Sequence, residues 1–173
     1  MAVERLGRRL SSTRIVSLAS GLLDRSTLCA LSTITAPRRA HINTAYFAWD
    51  RATFDIVWLS APEAQHSRNL RRDPSTAIAV FDSRQTWGRP DRGIQLLGVA
   101  REVGAGERRA AVALYRRRFS DYDESNLDTY RLYRFRPRRV KLFYERVLGG
   151  GVFVTARVYA DGRTSWMRTE RYR

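Results

Sequence analysis

The chain has 173 residues, enough for one domain with a core of its own. Its 32 basic and 17 acidic residues leave a net charge of +15, and Lys141 is the sole lysine, so the positive charge is almost wholly arginine. One cysteine, Cys29, excludes an internal disulfide and a cysteine-cluster metal site, two histidines do not make a zinc site, and no apolar run reaches the roughly 20 residues of a membrane-spanning helix.

Met1 to Leu10 is basic and is expected to fray. Ser11, Ser12 and Thr13 are helix-cap candidates. Ile15, Leu18, Leu22 and Leu23 recur at helical spacing, which predicts an amphipathic helix over Ser12–Asp24. Thr27–Thr35 (TLCALSTIT) is rich in strand formers, and Ala36-Pro37-Arg38-Arg39 reads as a turn. Ala40–Trp49 (AHINTAYFAW) is the next strand, with His41, Asn43, Ala45, Phe47 and Trp49 on one face because a strand alternates sides.

The stretch from Phe54 to Phe81 reads as strand, short helix, strand. Phe54–Ser60 is an apolar run of strand length. Pro62 and Glu63 suit a first helical turn, where a missing N–H costs nothing and a carboxylate meets the positive helix end. Ala64–Arg72 makes about two turns, and Asp73-Pro74 stops them. Ser75–Phe81 is a second β-rich run. Ser60 therefore falls where a strand meets a helix N-terminus, with His66, Arg68, Arg71 and Arg72 close behind. Two readings stand: a seat for a phosphate, or a capped helix with a solvated basic face.

Asp82–Asp91 is a polar loop carrying Trp87, Gly88 and Pro90; the tryptophan covers either a ligand, a neighbouring subunit or its own domain. Gly93–Val103 is a strand with Gly98 inside it, a frequent mark of a bulge, a barrel bend or a close approach. Glu107–Phe119 is helical, with Val112, Tyr115 and Phe119 on one side and Arg116, Arg117 and Arg118 complementing the dipole at its end. Asp121–Asp128 is an acidic loop. Tyr130–Phe135 and Arg138–Glu145 are strand-like runs split by Pro137. Gly149-Gly150-Gly151 is a flexible break, Val152–Tyr159 a last strand, and 160–173 a basic tail expected to be mobile or partner-dependent. The expected organisation is a flexible segment 1–11, one domain over 12–159, and that tail.

These about six or seven strands with three helices follow one another in hairpin-like succession. That predicts an antiparallel barrel with peripheral helices, of mainly-β or α+β class. G-x-G-x-x-G, Walker, H-E-x-x-H and G-x-S-x-G motifs are absent, and no nucleophile pair is marked, so the catalytic residues stay unassigned. An enzyme built on this chain would rely on a cofactor for its chemistry. The N-terminus lacks the apolar core and cleavage site of a secretion signal, and a cytoplasmic location is expected.

The ordering resembles the pyridoxamine 5'-phosphate oxidase-like, FMN-binding split-barrel superfamily, closest to its small general-stress-protein and YhbP-like members. The likeness runs from about Ile15 to Tyr144. It rests on LSTIT, AHINTAYFAWD and IVWLSAPEAQHSRNLRRDPSTAIAVF, then GIQLLGVAREV, ALYRRRF, YRLYRF and RRVKLFY. The central block is its specific part: a strand ending in Ser or Thr, a basic residue six positions on, an asparagine–leucine pair and an aspartate–proline. The resemblance implies a six- to seven-stranded antiparallel split β-barrel that holds FMN in a homodimer, each site built from both subunits. It places His41, Ile42, Asn43, Thr44, Ala45 and Tyr46 along the flavin ring and ribityl chain. Leu59 and Ser60 fall at the strand end that gives the phosphate a hydroxyl. His66 stands where the family has a phosphate-binding lysine, and Gln65 where an arginine is common. Histidine is only partly charged near neutral pH, so Arg38 or Arg68 would have to compensate. Arg92, Gln95 and, more loosely, Trp87 are implied as contributions from the opposite subunit. The basic pairs of the oxidase itself are not reproduced, so pyridoxamine phosphate oxidation is not expected.

The leading expectation is an FMN-dependent oxidoreductase acting on a small molecule. The alternatives are the same barrel with a deazaflavin coenzyme or haem, or a flavin-less binding or regulatory protein. Specific nucleic-acid binding is not expected, because no strand face clusters aromatics with interleaved basic residues.

Overall fold

The computed structural model describes residues 2–173. In chain order its elements are β1 (Val3–Leu6), α1 (Ser12–Arg25), β2 (Leu28–Ile34), β3 (Ala40–Trp49), β4 (Ile56–Ser60), α2 (Gln65–Arg72) and β5 (Ser75–Phe81). These are followed by β6 (Arg92–Glu102), α3 (Ala105–Arg118), α4 (Asn126–Thr129), β7 (Arg131–Tyr144), α5 (Glu145–Leu148), β8 (Val152–Val158) and β9 (Thr164–Tyr172). No described helix is long and apolar enough to cross a membrane.

The strands form one antiparallel sheet in the order β1-β9-β8-β7-β4-β3-β2-β5-β6, and an additional β6–β7 pairing closes six of them into a barrel. The split lies in β7. On one edge, Arg131–Phe135 pairs with β4 and Arg139–Phe143 pairs with β8, so β8, β9 and β1 peel away from the wall. On its other edge, β7 pairs with β6 along nearly its whole length.

Alternation decides what fills the barrel. Phe47, Trp49, Ile56, Trp58, Ile78, Leu96, Phe135 and Leu142 point inward and are fully or almost fully buried. Burying each such side chain contributes roughly 1.5–3 kcal/mol. α1 adds Ile15, Leu18, Leu22 and Leu23 to this cluster, and its first turn is capped by Ser11 Oγ, which accepts from Arg14 N at 3.2 Å. At the Ile34 end of β2, buried Asn69 of α2 donates to buried Thr33 at 2.9 Å. A second cluster joins the outer side of β3 and β4 to α3 and α4 through Ala48, Val57, Val112, Tyr115 and Leu127.

Three expectations need correction. The N-terminal segment is not frayed between Val3 and Leu6: it pairs with β9, from Val3 opposite Tyr172 to Leu6 opposite Thr169. The expectation at Met1 falls outside the described residues. The tail from 160 onward is likewise mostly strand, hydrogen-bonded to both β8 and β1. Both segments are polar and short of apolar alternation, so their strand character comes from the neighbours that satisfy their backbone. The barrel domain therefore runs through 12–159 into both flanks. Finally, Pro137 does not divide β7. A bulge opposite Leu97 and Gly98 accommodates it, and a proline in a bulge removes no ladder bond.

Candidate functional site

A cleft of about 780 Å³ opens between the outer side of β3 and β4, the start of α2, and the segment from the end of α3 to Tyr130. On β3 the odd-numbered residues turn to the interior and the even-numbered ones outward, leaving Ile42 70% and Tyr46 59% exposed. Thr44 and Tyr46 thus form one wall. Tyr46 meets Phe119 edge-on at 5.9 Å, and Phe119 continues into Tyr115 at 4.8 Å.

At the other end, β4 runs out into Ser60, which is 8% exposed, opposite Arg131 of β7. Residues 61–64 make a turn before α2 begins, so the helix N-terminus lies at Gln65 and not directly behind Ser60 as expected. The turn nevertheless returns the chain so that His66 Nε2 lies 2.6 Å from Ser60 Oγ. Ser67 Oγ donates to Ala61 O at 2.8 Å and holds the turn. Burial first, and then the neighbouring His41, push the His66 pKa below its usual 6.5, which favours the neutral imidazole. The N-cap, Ala64, offers no side-chain acceptor, which leaves the first-turn N–H groups of α2 without a cap.

Seven of the predicted residues line this cleft: Asn43, Thr44, Ala45, Tyr46, Leu59, Ser60 and His66. The others do not. His41 is half-buried on β3 opposite Thr33, and Ile42 points outward one strand position before the cleft. Gln65 donates to Asn69 Oδ1 at 2.8 Å and accepts from Arg68 at 2.8 Å. Arg68 also donates to Glu63 O, and Arg71 to Pro62 O, both at 2.9 Å, so these guanidinium groups serve the turn and do not converge on Ser60. Trp87 is fully exposed in its loop, Gln95 is exposed on β6 opposite Lys141, and Arg92 lies 3.6 Å from Asp82 at the start of β6.

Sequence reasoning missed the wall supplied by Arg118, Phe119, Tyr122, Asn126 and Tyr130. Arg118 was read as a cation at a helix end. It instead donates to Leu23 O at 3.1 Å and to Ser26 O, stacks 5.0 Å from the centre of Phe47, and keeps a buried Nε without a partner. The buried Tyr122 hydroxyl is also unpartnered. The available signal was the run of Phe119, Tyr122 and Tyr130, three aromatics in a segment that otherwise reads as an acidic loop. Among the described residues, no group of three or more His, Cys, Asp or Glu side chains is placed to hold a metal ion. Burial pushes the Cys29 thiol up to about 12, which leaves it unreactive.

No curated protein matches the chain by sequence. Solved structures do. A heme binding protein from Mycobacterium smegmatis is 20% identical with a TM-score of 0.60, over 93% of this chain and 59% of its own. HutZ, the heme storage protein from Vibrio cholerae, is 20% identical with a TM-score of 0.62, over 73% of this chain and 91% of its own. A pyridoxamine 5'-phosphate oxidase-related, FMN binding protein from Nostoc punctiforme is 10% identical with a TM-score of 0.64, over 89% and 94%. At such identities these likenesses establish the fold, and the fold is known with both FMN and haem. The family model described as pyridoxamine 5'-phosphate oxidase matches residues 18–144, from α1 to the end of β7, and the chain belongs to that family.

Proposed function

We propose that the cleft binds FMN and that the protein uses it as a redox cofactor for a small-molecule substrate. The observation that carries this reading is the Ser60–His66 pair, brought to 2.6 Å at the phosphate position that the resemblance assigns, beside an uncapped helix turn. The cleft falls within the roughly 300–1,000 Å³ of small-molecule sites. Ser60, His66 and the first-turn N–H groups of α2 would hold the phosphate. Asn43, Thr44, Ala45 and Tyr46 would lie along the ribityl chain and ring, with Phe119 shielding them from water. When bound, FMN supplies reversible hydride and single-electron transfer.

The same reading includes a homodimer. β2, β3 and β5 contain no lysine, arginine, aspartate or glutamate, in a chain of which 28% is charged. Their outer side exposes Leu28, Ile42, Tyr46 and Phe81. A second copy would meet the least repulsion on this face, because each chain carries a net charge of +15 and these strands carry none of it. Tyr46 belongs to both the face and the cleft, so the partner would close the cleft's open side. Arg92, Gln95 and Trp87, which miss the cleft of their own chain, are then the candidates to serve the partner's.

The test is a visible absorption spectrum of the purified protein, repeated after adding FMN and desalting. Paired flavin bands that survive desalting, and are weakened by joint Ser60→Ala and His66→Ala substitution, are expected. A Soret band would assign the cleft to haem, and a single deazaflavin-like band to a deazaflavin coenzyme. A colourless protein that does not retain FMN would refute the proposal.

A further inference from the structure

We propose that a groove on the outer side of β6–β9 binds a small organic oligophosphate, a nucleoside diphosphate being the simplest example. The groove is lined by Leu97, Gly98, Arg138, Arg139, Arg157 and Met167, with a volume of about 340 Å³, and shares no residue with the cleft.

Two bulges build it. In the β6–β7 ladder Leu97 faces Arg139 and Gly98 faces Pro137, so Arg138 is the extra residue. In the β8–β9 ladder Thr155 faces Arg168 and Ala156 faces Trp166, so Met167 is the extra residue. Both extra residues line the same groove. Bulges re-aim side chains, and the first one here turns the consecutive Arg138 and Arg139 outward together, where a regular strand would have buried one of them.

The charges in the groove are uncompensated. Arg139 lies directly opposite Arg157 across the β7–β8 pair, an arrangement that is unfavourable unless an anion comes between them. Among the described residues, none of the three arginines takes part in an ion pair or a side-chain hydrogen bond, whereas Arg168 nearby on β9 is paired with Glu170 at 2.8 Å. No acidic residue lines the groove. Three guanidinium groups suit two linked phosphates, each able to accept paired N–H bonds. Leu97 and Met167, both exposed, offer an apolar contact for the organic part. The lining has no aromatic side chain on which successive bases could stack, which separates this chemistry from single-stranded nucleic acid.

The test is calorimetric titration of the full chain with ADP at physiological ionic strength. One ADP per chain is expected, with pyrophosphate binding more weakly because it leaves Leu97 and Met167 uncovered. Arg139→Gln and Arg157→Gln should each weaken ADP about tenfold, the loss of one charge-assisted contact. Arg109→Gln, on the exposed side of α3, removes the same charge elsewhere and should leave ADP binding unchanged. Absence of ADP binding, an equal loss in the Arg109 variant, or displacement of ADP by an oligonucleotide with affinity growing with its length would each overturn the proposal.

Discussion

Replacing Gly98 by alanine tests the bulge on which both the barrel wall and the basic groove depend. A Cβ at this position would lie 2.0 Å from Arg136 O, 2.8 Å from Pro137 Cα and 2.9 Å from Arg136 C. All three are backbone atoms of the paired strand, so no side-chain rotation relieves the contact. Overpacking costs typically about 1–3 kcal/mol, and rigid neighbours place this case near about 3 kcal/mol. At roughly 2–4 °C per kcal/mol for a domain of this size, the midpoint should fall by about 6–12 °C. The matched control is Gly21→Ala in the interior of α1, where a Cβ meets nothing within 4 Å. There the lost backbone entropy of glycine is recovered, worth about 0.5–1 kcal/mol, and the midpoint should rise by about 1–4 °C. Thermal unfolding followed by circular dichroism reads both. A Gly98→Ala protein as stable as the parent would show that β6 and β7 can separate at the bulge, and would remove the close approach from the account.

Arg134→Met should cost about 3 kcal/mol in urea unfolding, because it leaves Asp55 buried without the guanidinium whose Nε lies 2.5 Å away. A loss below about 1 kcal/mol would show that Arg136, 3.8 Å from the same carboxylate, suffices. His66 sets a pH dependence. Its folded pKa lies below the unfolded 6.5, so the unfolded chain takes up the proton first and stability falls as pH drops below about 6.5. His66→Gln should flatten that slope below about pH 6.5; an unchanged slope would show that another group, such as Asp55, whose pKa burial raises, is responsible. Ile42→Arg should leave the fold intact and convert a dimer to a monomer in sedimentation, since it introduces a charge on the uncharged face. A parent protein already monomeric at micromolar concentration would contradict the dimer.

The central block shows how far local pattern reaches. Alternation and apolar length placed β3 at Ala40–Trp49 and β5 at Ser75–Phe81, and both strands lie where they were expected. Gly98 pointed to a bulge, a barrel bend or a close approach, and the structure has a bulge and a close approach there. Ser60 and His66 were legible through their spacing within the resemblance, six positions apart across a strand end and a helix start. What joins them is the turn at 61–64, which moved the helix start and turned Arg68 and Arg71 onto carbonyl groups.

The sequence by itself determined the antiparallel barrel, the burial of α1's apolar stripe and the absence of charge from β2, β3 and β5. These follow from periodicity and composition, which each segment carries alone, whereas the residues of one side of the cleft were legible only through the family resemblance. Only the tertiary structure decided that β1 and β9 are strands, because polar segments become strands when a neighbour's backbone is in register with their own. It also decided that Arg118, Phe119, Tyr122 and Tyr130 face Thr44 and Tyr46, and that Arg138, Arg157 and Met167 share one groove. Those encounters join residues far apart in the chain, and their positions are fixed by the closure of the barrel and by the bulges within it.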